Sequence, residues 1–244
     1  MKVGVIGAGV MGSGIAQVAA TAGYETVCYD VDPGALERAL EHVTTGRYGL
    51  DRGVERQKIS RSDADAAIAR LTFTSSFADA ADVDLVIEAV PENLELKQQV
   101  FRDLDAAAPA ATILASNTSG FSIAQVAEVT SRPELVVGWH WASPPVVMRL
   151  AEIVRTPVTS DATVETIVEV AAACGKHPVV VKDTTSAWGF VANRVYFAMI
   201  QEANRVVEEG VATREQVDTL MVDCFNWPIG PYGMTRGATS GWDK

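Results

Sequence analysis

A glycine-rich motif directly after the first apolar segment constrains the fold more than any other feature of this chain. Lys2–Ile6 is short and β-branched, and Gly7-Ala8-Gly9-Val10-Met11-Gly12 follows it at once. In a strand–turn–helix unit, such glycines permit a tight turn, close approach of a pyrophosphate, and close helix–strand packing. The helix N-terminus adds free N–H groups and the positive end of its dipole. The motif therefore predicts a Rossmann-type unit that contacts a dinucleotide through Gly7, Gly9, Val10, Met11 and Gly12.

An acidic residue at the end of the next strand indicates which dinucleotide is bound. Asp30 lies 18 residues beyond Gly12, where a carboxylate can accept hydrogen bonds from a ribose 2′-hydroxyl. Its charge would repel a 2′-phosphate, although nearby Arg38 could soften that effect. We expect NAD rather than NADP as the cofactor.

Short β-branched segments alternate with helical segments up to about residue 182, which predicts a parallel, doubly wound sheet. Helix ends are indicated by Asp32 before Pro33, by a capping box of Ser122 with Gln125, and by Ser160 with Gly175 at the two ends of one helix. The expected strands are Lys2–Ile6, Glu25–Tyr29, Leu71–Thr74, Leu85–Ala89, Thr112–Ala115, Leu135–Gly138, Leu150–Val154 and Pro178–Val181.

The pattern changes after residue 188 and becomes helical. A long helix is expected to stop at Gly210, and Thr213 with Gln216 indicates a capping box for the next one. Asn226–Lys244 is expected to be loop. The chain is thus expected to be an α/β protein with an N-terminal Rossmann domain at 1–184 and a small, apparently truncated all-helical domain at 185–244.

Composition narrows the possible partners. The formal charge of −11 argues against nucleic acid, because phosphate backbones need a basic surface. No apolar run approaches the roughly 20 residues of a membrane span. The three cysteines have no metal-ligand spacing, so we expect no metal site and a reduced, cytoplasmic protein.

Several motifs in a fixed order point to a known family. They are Val86-Ile87-Glu88-Ala89-Val90-Pro91-Glu92-Asn93, Ala115-Ser116-Asn117-Thr118-Ser119, Gly138-Trp139-His140, Met148-Arg149-Leu150-Ala151-Glu152-Ile153, Gly189-Phe190-Val191-Ala192-Asn193-Arg194 and Trp227-Pro228-Ile229-Gly230-Pro231. With the N-terminal motif, they closely resemble the L-3-hydroxyacyl-CoA dehydrogenase family over essentially the whole chain. The resemblance implies an NAD-dependent enzyme of fatty acid metabolism, which acts on an acyl-CoA and forms a homodimer.

By this resemblance, His140 is the general base and Glu152 its partner. The chemistry is consistent, since oxidation of a secondary alcohol removes a hydroxyl proton and histidine titrates near neutral pH. A carboxylate on the other ring nitrogen would orient the imidazole. From the residues alone, a buried core histidine is an equal alternative, and the resemblance favours catalysis. His42 and His177 match no such position.

The resemblance also assigns the remaining site residues. Ser119 and Asn193 match positions that bind the substrate's reacting oxygen, although each could be an ordinary cap or turn residue. Lys97 could equally lie on a solvated helix face with Glu92 and Glu95. The residues that match cofactor-binding positions are Glu92, Lys97, Asn117, Ser119 and Ser143.

A basic segment at 46–61 carries five basic and two acidic residues in an otherwise acidic chain. Arg47 and Arg52 could bind the phosphates of coenzyme A. A solvated pair of helices is the plain alternative.

The chain departs from the family pattern in four places. Ala142 and Ser143 replace an aromatic residue and an asparagine after the histidine, and the linker at Thr184–Gly189 is three residues longer. The segment after Pro231 lacks the usual acidic, leucine-rich composition, and the chain ends before further helices that relatives have. We expect the apolar face of Val191–Val207 to be covered by a second subunit.

Three alternatives to the acyl-CoA enzyme stay open at this point. The same chemistry could act on an acyl-carrier-protein thioester or a free hydroxy acid. The chain could instead bind NAD without turnover. A 3-hydroxyisobutyrate or 6-phosphogluconate dehydrogenase type ranks last, because its catalytic lysine has no counterpart in the helical part before Lys244.

Overall fold

The computed structural model describes residues 1–239, and the end of the predicted Asn226–Lys244 loop lies outside them. Contacts divide the chain into two compact units, Met1–Phe190 and Val191–Lys244. In the described part, no helix combines the length and the apolar character that a membrane crossing requires.

The first unit is built around a sheet with eight strands among the described residues. The strands are β1 (Lys2–Ile6), β2 (Glu25–Tyr29), β3 (Leu71–Thr74), β4 (Leu85–Glu88), β5 (Ile113–Ser116), β6 (Val136–Trp141), β7 (Leu150–Arg155) and β8 (His177–Lys182). Their order is β3-β2-β1-β4-β5-β6-β7-β8. All neighbouring pairs are parallel except β6 and β7, which are antiparallel. The predicted doubly wound sheet is confirmed, with β7 and β8 running opposite to the other six described strands.

Helices cover both faces of this sheet. They are α1 (Val10–Thr21), α2 (Pro33–Thr44), α3 (Leu50–Glu55), α4 (Arg61–Ala69), α5 (Phe77–Ala81), α6 (Leu94–Ala107), α7 (Ile123–Ala127) and α8 (Asp161–Ala173). One apolar core joins α1 and α8 to side chains such as Trp139 and Ile153. A second core joins α6 and α7 to the opposite face. Side chains alternate between the two cores because successive strand residues point to opposite faces.

The predicted helix ends are correct in most places. Asp32 accepts a hydrogen bond from the Gly34 N–H, and Ser160 accepts one from the Thr163 N–H. The capping box at Ser122 is wrong, because the Ser122 hydroxyl donates to Asp183 Oδ2 at 2.7 Å. The same carboxylate oxygen accepts the Ala124 N–H at 2.8 Å. A distant carboxylate therefore supplies the cap that local spacing had assigned to serine.

The second unit is helical, with α9 (Val191–Glu208), α10 (Arg214–Phe225) and α11 (Pro231–Thr239). The Thr213–Gln216 capping box is confirmed. The loop expected at Asn226–Lys244 is wrong for its middle part, where α11 forms. Asp218 accepts the N–H groups of Tyr232 at 2.7 Å and Gly233 at 2.9 Å. This tertiary cap stabilises a glycine-containing helix that propensity alone disfavours.

Candidate active site

The order of the sheet strands creates a crevice where the chain changes direction. The β2 and β3 strands lie on one side of β1, and β4 and β5 lie on the other. In open α/β sheets, ligands bind outside the carboxyl ends of the strands at this point. The loops that follow β1, β4, β5 and β6 therefore form the candidate site.

The glycine loop after β1 has the geometry of a phosphate cradle. Gly7 has φ of +103°, and a side chain there would collide with the Ala89 carbonyl. A side chain at Gly12 would collide with the Gly7 carbonyl, whereas a Cβ at Gly9 would meet nothing within 4 Å. Gly9 precedes α1, whose first turn presents backbone N–H groups. The cradle is tight on the protein side and open on the ligand side, which fits the pyrophosphate of NAD.

Asp30 is held against the glycine loop. Its Oδ2 accepts the Ala8 N–H at 2.8 Å, and its Oδ1 accepts the Asp32 N–H at 3.0 Å. Arg38 forms its ion pair with Asp32 at 3.1 Å. The guanidinium that could have softened the charge of Asp30 thus has another carboxylate partner.

A buried ion pair lies below the loops after β4 and β5. Lys97 Nζ donates to Glu88 Oε1 at 2.7 Å, and both side chains are essentially inaccessible to solvent. Glu88 also accepts the Ser116 hydroxyl at 2.6 Å and the Val90 N–H at 2.8 Å. Burial raises the pKa of Glu88, and the ammonium and these hydrogen bonds act in the opposite direction. The solvated helix face considered for Lys97 is wrong.

The ion pair continues to the loop that carries Ser119. Lys97 Nζ lies 3.4 Å from Glu92 Oε2. Glu92 Oε1 accepts the Thr118 hydroxyl at 2.5 Å and the Ser119 N–H at 3.0 Å. The carboxylate of Glu92 therefore ties the β4–α6 loop to the β5–α7 loop.

His140 and Glu152 are direct neighbours on β6 and β7. The antiparallel register pairs the two residues, so their side chains lie on the same face of the sheet. His140 Nδ1 and Glu152 Oε2 are 2.7 Å apart, and both side chains are buried. The ring of Phe190 lies 6.1 Å from the imidazole ring, centroid to centroid. The arrangement leaves Nε2 as the imidazole nitrogen available for proton transfer.

The other predicted site residues lie partly in the first unit and partly in the second. Asn117 Oδ1 accepts the Trp141 N–H at 3.0 Å, and Ser143 is exposed in the loop after β6. Asn193 lies in the first turn of α9, in the second unit. His42 on α2 and His177 at the start of β8 are exposed and lie outside this constellation.

The basic segment lines a cleft of about 300 Å³ beside α1. Arg52 donates to Glu55 at 2.6 Å, and the Arg47 guanidinium lies 5.5 Å from the centre of the Tyr48 ring. Val146 and Val147, from the β6–β7 loop, form another part of the wall. The basic residues that line the cleft are Arg47, Arg52, Arg56 and Lys58.

Two buried charges in this region escaped the sequence analysis. Glu88 ends an otherwise apolar strand, where a carboxylate needs a partner. This pattern could have predicted an ion pair with Lys97, nine residues later. Lys176 follows Gly175, where a basic residue ordinarily reaches solvent, yet its side chain is buried. No local pattern indicates the second case.

Comparisons with known proteins show what this chain is similar to. Residues 2–184 match the family described as "3-hydroxyacyl-CoA dehydrogenase, NAD binding domain", and residues 189–242 match "3-hydroxyacyl-CoA dehydrogenase, C-terminal domain". A probable 3-hydroxybutyryl-CoA dehydrogenase of Bacillus subtilis is 41% identical, over 94% of this chain and 78% of that protein. The (S)-3-hydroxybutyryl-CoA dehydrogenase of Ralstonia eutropha superposes with a TM-score of 0.88 at 38% identity, over 94% and 79%.

A relative with a different substrate name is similarly close. The 5-formyl-3-hydroxy-2-methylpyridine 4-carboxylate 5-dehydrogenase of Mesorhizobium japonicum is 38% identical, over 94% of this chain and 71% of that protein.

Lys97→Met tests the buried ion pair. The variant leaves the Glu88 carboxylate buried without its cation, which should lower the free energy of unfolding by about 3–5 kcal/mol at neutral pH. The loss should shrink below about pH 4, where glutamate is protonated in the unfolded chain as well. Above that pH, a carboxyl whose folded pKa is raised destabilises the fold progressively as pH rises.

Urea unfolding of wild type and Lys97→Met at several pH values measures this effect. The double variant Glu88→Leu/Lys97→Met removes both charges and should recover part of the stability. Single-variant stability within 0.5 kcal/mol of wild type at pH 7 would contradict the role given to the pair.

Proposed function

Because the chain belongs to the 3-hydroxyacyl-CoA dehydrogenase family, we propose that it interconverts 3-hydroxyacyl-CoA and 3-oxoacyl-CoA thioesters with His140 as general base and Glu152 as its partner. Family membership makes it an NAD-dependent oxidoreductase. The single observation that supports the assignment of roles is the 2.7 Å contact between His140 Nδ1 and Glu152 Oε2.

The proposed step begins at the substrate hydroxyl. His140 Nε2 would remove the hydroxyl proton while the carbonyl forms, and NAD, held by the glycine loop, would supply the acceptor for the hydride from the same carbon. Glu152 keeps the Nδ1 proton in place and stabilises the imidazolium. In the reducing direction, His140 returns the proton to the carbonyl oxygen. Burial of the pair excludes water that would weaken these interactions.

Ser119 and Asn193 are proposed to bind the reacting oxygen. The support for Ser119 is its position after β5, next to the strand that carries His140, and the hydrogen bond that fixes its N–H on Glu92. For Asn193, the support is its match to the family motif. A hydrogen-bond donor at that oxygen stabilises the charge that develops on it in the transition state.

The cofactor is proposed to lie along the loops after β1, β4 and β5. The glycine loop (Gly7–Gly12) would hold the pyrophosphate, and Asp30 the adenosine ribose. Glu92 and Asn117 would contact the nicotinamide side, with Ser143 in place of the family's asparagine. Lys97 would act there through Glu92, because its ammonium lies between the Glu88 and Glu92 carboxylates.

His140→Gln tests the catalytic role. Removal of a general base should lower kcat by about 10²–10⁴-fold while NADH affinity stays unchanged. NADH consumption with acetoacetyl-CoA, followed at 340 nm, measures the first effect, and NADH titration measures the second. His42→Gln and His177→Gln change exposed histidines and serve as matched controls. Full activity in His140→Gln would exclude it as the base.

The acyl carrier is proposed to be coenzyme A, recognised through the basic cleft. Its cations lie in an otherwise acidic chain, and a phosphate-bearing carrier would be drawn to them. The Mesorhizobium relative is named for a pyridine carboxylate, which keeps a free acid as the second candidate. An acyl-carrier-protein thioester is the third candidate; its phosphopantetheine arm has a phosphate but lacks the nucleotide of coenzyme A.

Arg47→Glu/Arg52→Glu distinguishes these carriers. The double variant should raise the KM for acetoacetyl-CoA by about tenfold or more, in a salt-dependent way. The KM for an N-acetylcysteamine thioester, which lacks the nucleotide, should not change. Arg102→Glu/Arg205→Glu makes the same charge change at two exposed arginines outside the cleft. An unchanged KM for the CoA ester would exclude the cleft as the phosphate site.

A non-catalytic NAD-binding module is the candidate of a different class. Wild-type protein that binds NADH but turns over neither CoA esters nor free hydroxy acids would support it. Against this candidate stands the buried His140–Glu152 pair, because burying a carboxylate and an imidazole has a desolvation cost that an apolar pair at the same two positions would not have.

A homodimer is proposed from the exposed apolar residues of α9. Val191 and Val195 are 55% and 66% exposed, while Ala203, further along the helix, packs against Val217 and Tyr232. A second copy would cover the first part of this face. Sedimentation at micromolar concentration should give a dimer, and Val195→Glu should shift it towards monomer. A wild-type monomer would contradict the proposal.

A further inference from the structure

Lys176 is a buried cation with an unusual set of partners. The side chain lies directly before β8 and is only 6% exposed. Burial lowers the pKa of its ammonium. Among the described residues, no carboxylate lies within ion-pair distance of Lys176. Because an unpaired charge is costly to bury, the neighbouring dipoles must compensate for its lost hydration.

Those neighbouring dipoles belong to one segment, the β6–β7 loop at residues 142–149. Lys176 Nζ donates to the carbonyls of Pro145 and Met148, the second at 2.8 Å. The two residues belong to a turn in which the N–H groups of Val147 and Met148 both donate to the Pro144 carbonyl. The ammonium therefore satisfies carbonyls that the turn itself leaves unpaired.

A third contact joins the same cation to the strand of the candidate base. Lys176 Nζ lies 5.1 Å from the centre of the Trp141 ring, within the range of a cation–π interaction. The Trp141 N–H is held by Asn117 Oδ1. Trp141 is thus held at its ring and at its backbone. In the chain it connects His140 to the β6–β7 loop.

The segment that Lys176 holds faces the candidate site and the basic cleft. It carries Ser143, and Val146 and Val147 form part of the cleft wall. Pro145 packs against α1 at Gly14, where an added Cβ would lie 3.1 Å from the Pro145 ring. A side chain at Gly14 would require the Pro145 ring to move by a few tenths of an ångström, so the glycine lets the loop pack closely on α1.

We propose that Lys176 is a positioning residue that holds the β6–β7 loop in the conformation that binds the acyl thioester and the nicotinamide side of the cofactor. It touches neither the substrate nor the reacting atoms, and it acts through Pro145, Met148 and Trp141. The proposal rests on the proposed function for its ligands. The loop and its anchor can be tested without activity.

Lys176→Met tests the anchor by hydrogen exchange. Methionine keeps the unbranched shape of the lysine side chain, one atom shorter, but donates no hydrogen bond, so the loop should sample other conformations. In the NADH-free protein, peptides that span residues 142–149 should exchange at least about tenfold faster than in wild type. Peptides from β1, β4 and β5 should exchange as before. Lys176→Arg, which keeps a charged donor, should restore part of the protection.

The matched control is Arg132→Met. Arg132 is also buried, and besides its ion pair with Asp105 Oδ1 at 2.8 Å it donates to the backbone carbonyls of Pro109 and Asp105 through its Nη1 and Nη2 atoms. Those carbonyls belong to the segment around the end of α6, so this variant removes a buried cation from carbonyls elsewhere. It should lower stability without changing exchange in the 142–149 loop.

Steady-state kinetics then separates positioning from a general loss of structure. When only a fraction of molecules holds the binding-competent loop, the apparent dissociation constant rises by the inverse of that fraction. Lys176→Met should therefore raise KM for acetoacetyl-CoA and for NADH by about tenfold, with kcat within a factor of two. Arg132→Met should leave both KM values unchanged.

The possible outcomes are distinct. Unchanged exchange in the 142–149 loop of Lys176→Met would overturn the proposal, and so would an equal change in Arg132→Met. Wild-type protein that lacks activity would defeat the proposed function, while the exchange comparison would still decide the role of Lys176. If Lys176→Met does not fold, Lys176→Gln, with a shorter neutral donor, is measured in its place.

Discussion

The antiparallel pairing of β6 with β7 is the constraint on which the candidate site depends. In this register His140 faces Glu152 directly, and their side chains share one face of the sheet. A slip of one residue would place the two side chains on opposite faces. The loop between these strands then leads from His140 towards the cleft, so a single strand pairing sets both the histidine–carboxylate contact and the course of the adjacent loop.

Buried charges hold the loops around the candidate site in defined positions. Glu88 and Lys97 pair inside the protein and hold the loops after β4 and β5. Lys176 compensates its charge with the carbonyls and the aromatic ring of the next segment. Such groups add little net stability compared with apolar packing, but a buried charge tolerates few arrangements of its partners. Such a restriction keeps the conformations of the neighbouring loops few, as a binding site requires.

Relatives of this fold carry different substrate names, which indicates where specificity can lie. In the proposed function the His140–Glu152 pair supplies the proton transfer, while the basic segment and the β6–β7 loop contact the substrate. Ala142 and Ser143 are the second and third residues after His140, and the family pattern has larger side chains at these two positions. Changes at such loop positions alter the shape of the pocket without disturbing the core.

The sequence by itself determined the doubly wound sheet, most helix ends, the glycine loop and the family, because each depends on local spacing or on motifs in order. The tertiary structure decided the reversed direction of β7 and β8, the cap that Asp183 supplies to α7, the helix that Asp218 caps at Pro231, and the burial of Lys97 and Lys176. In these cases the deciding partner lies tens of residues away or on another element. Local patterns record which groups need partners, and only folding selects which distant group provides them.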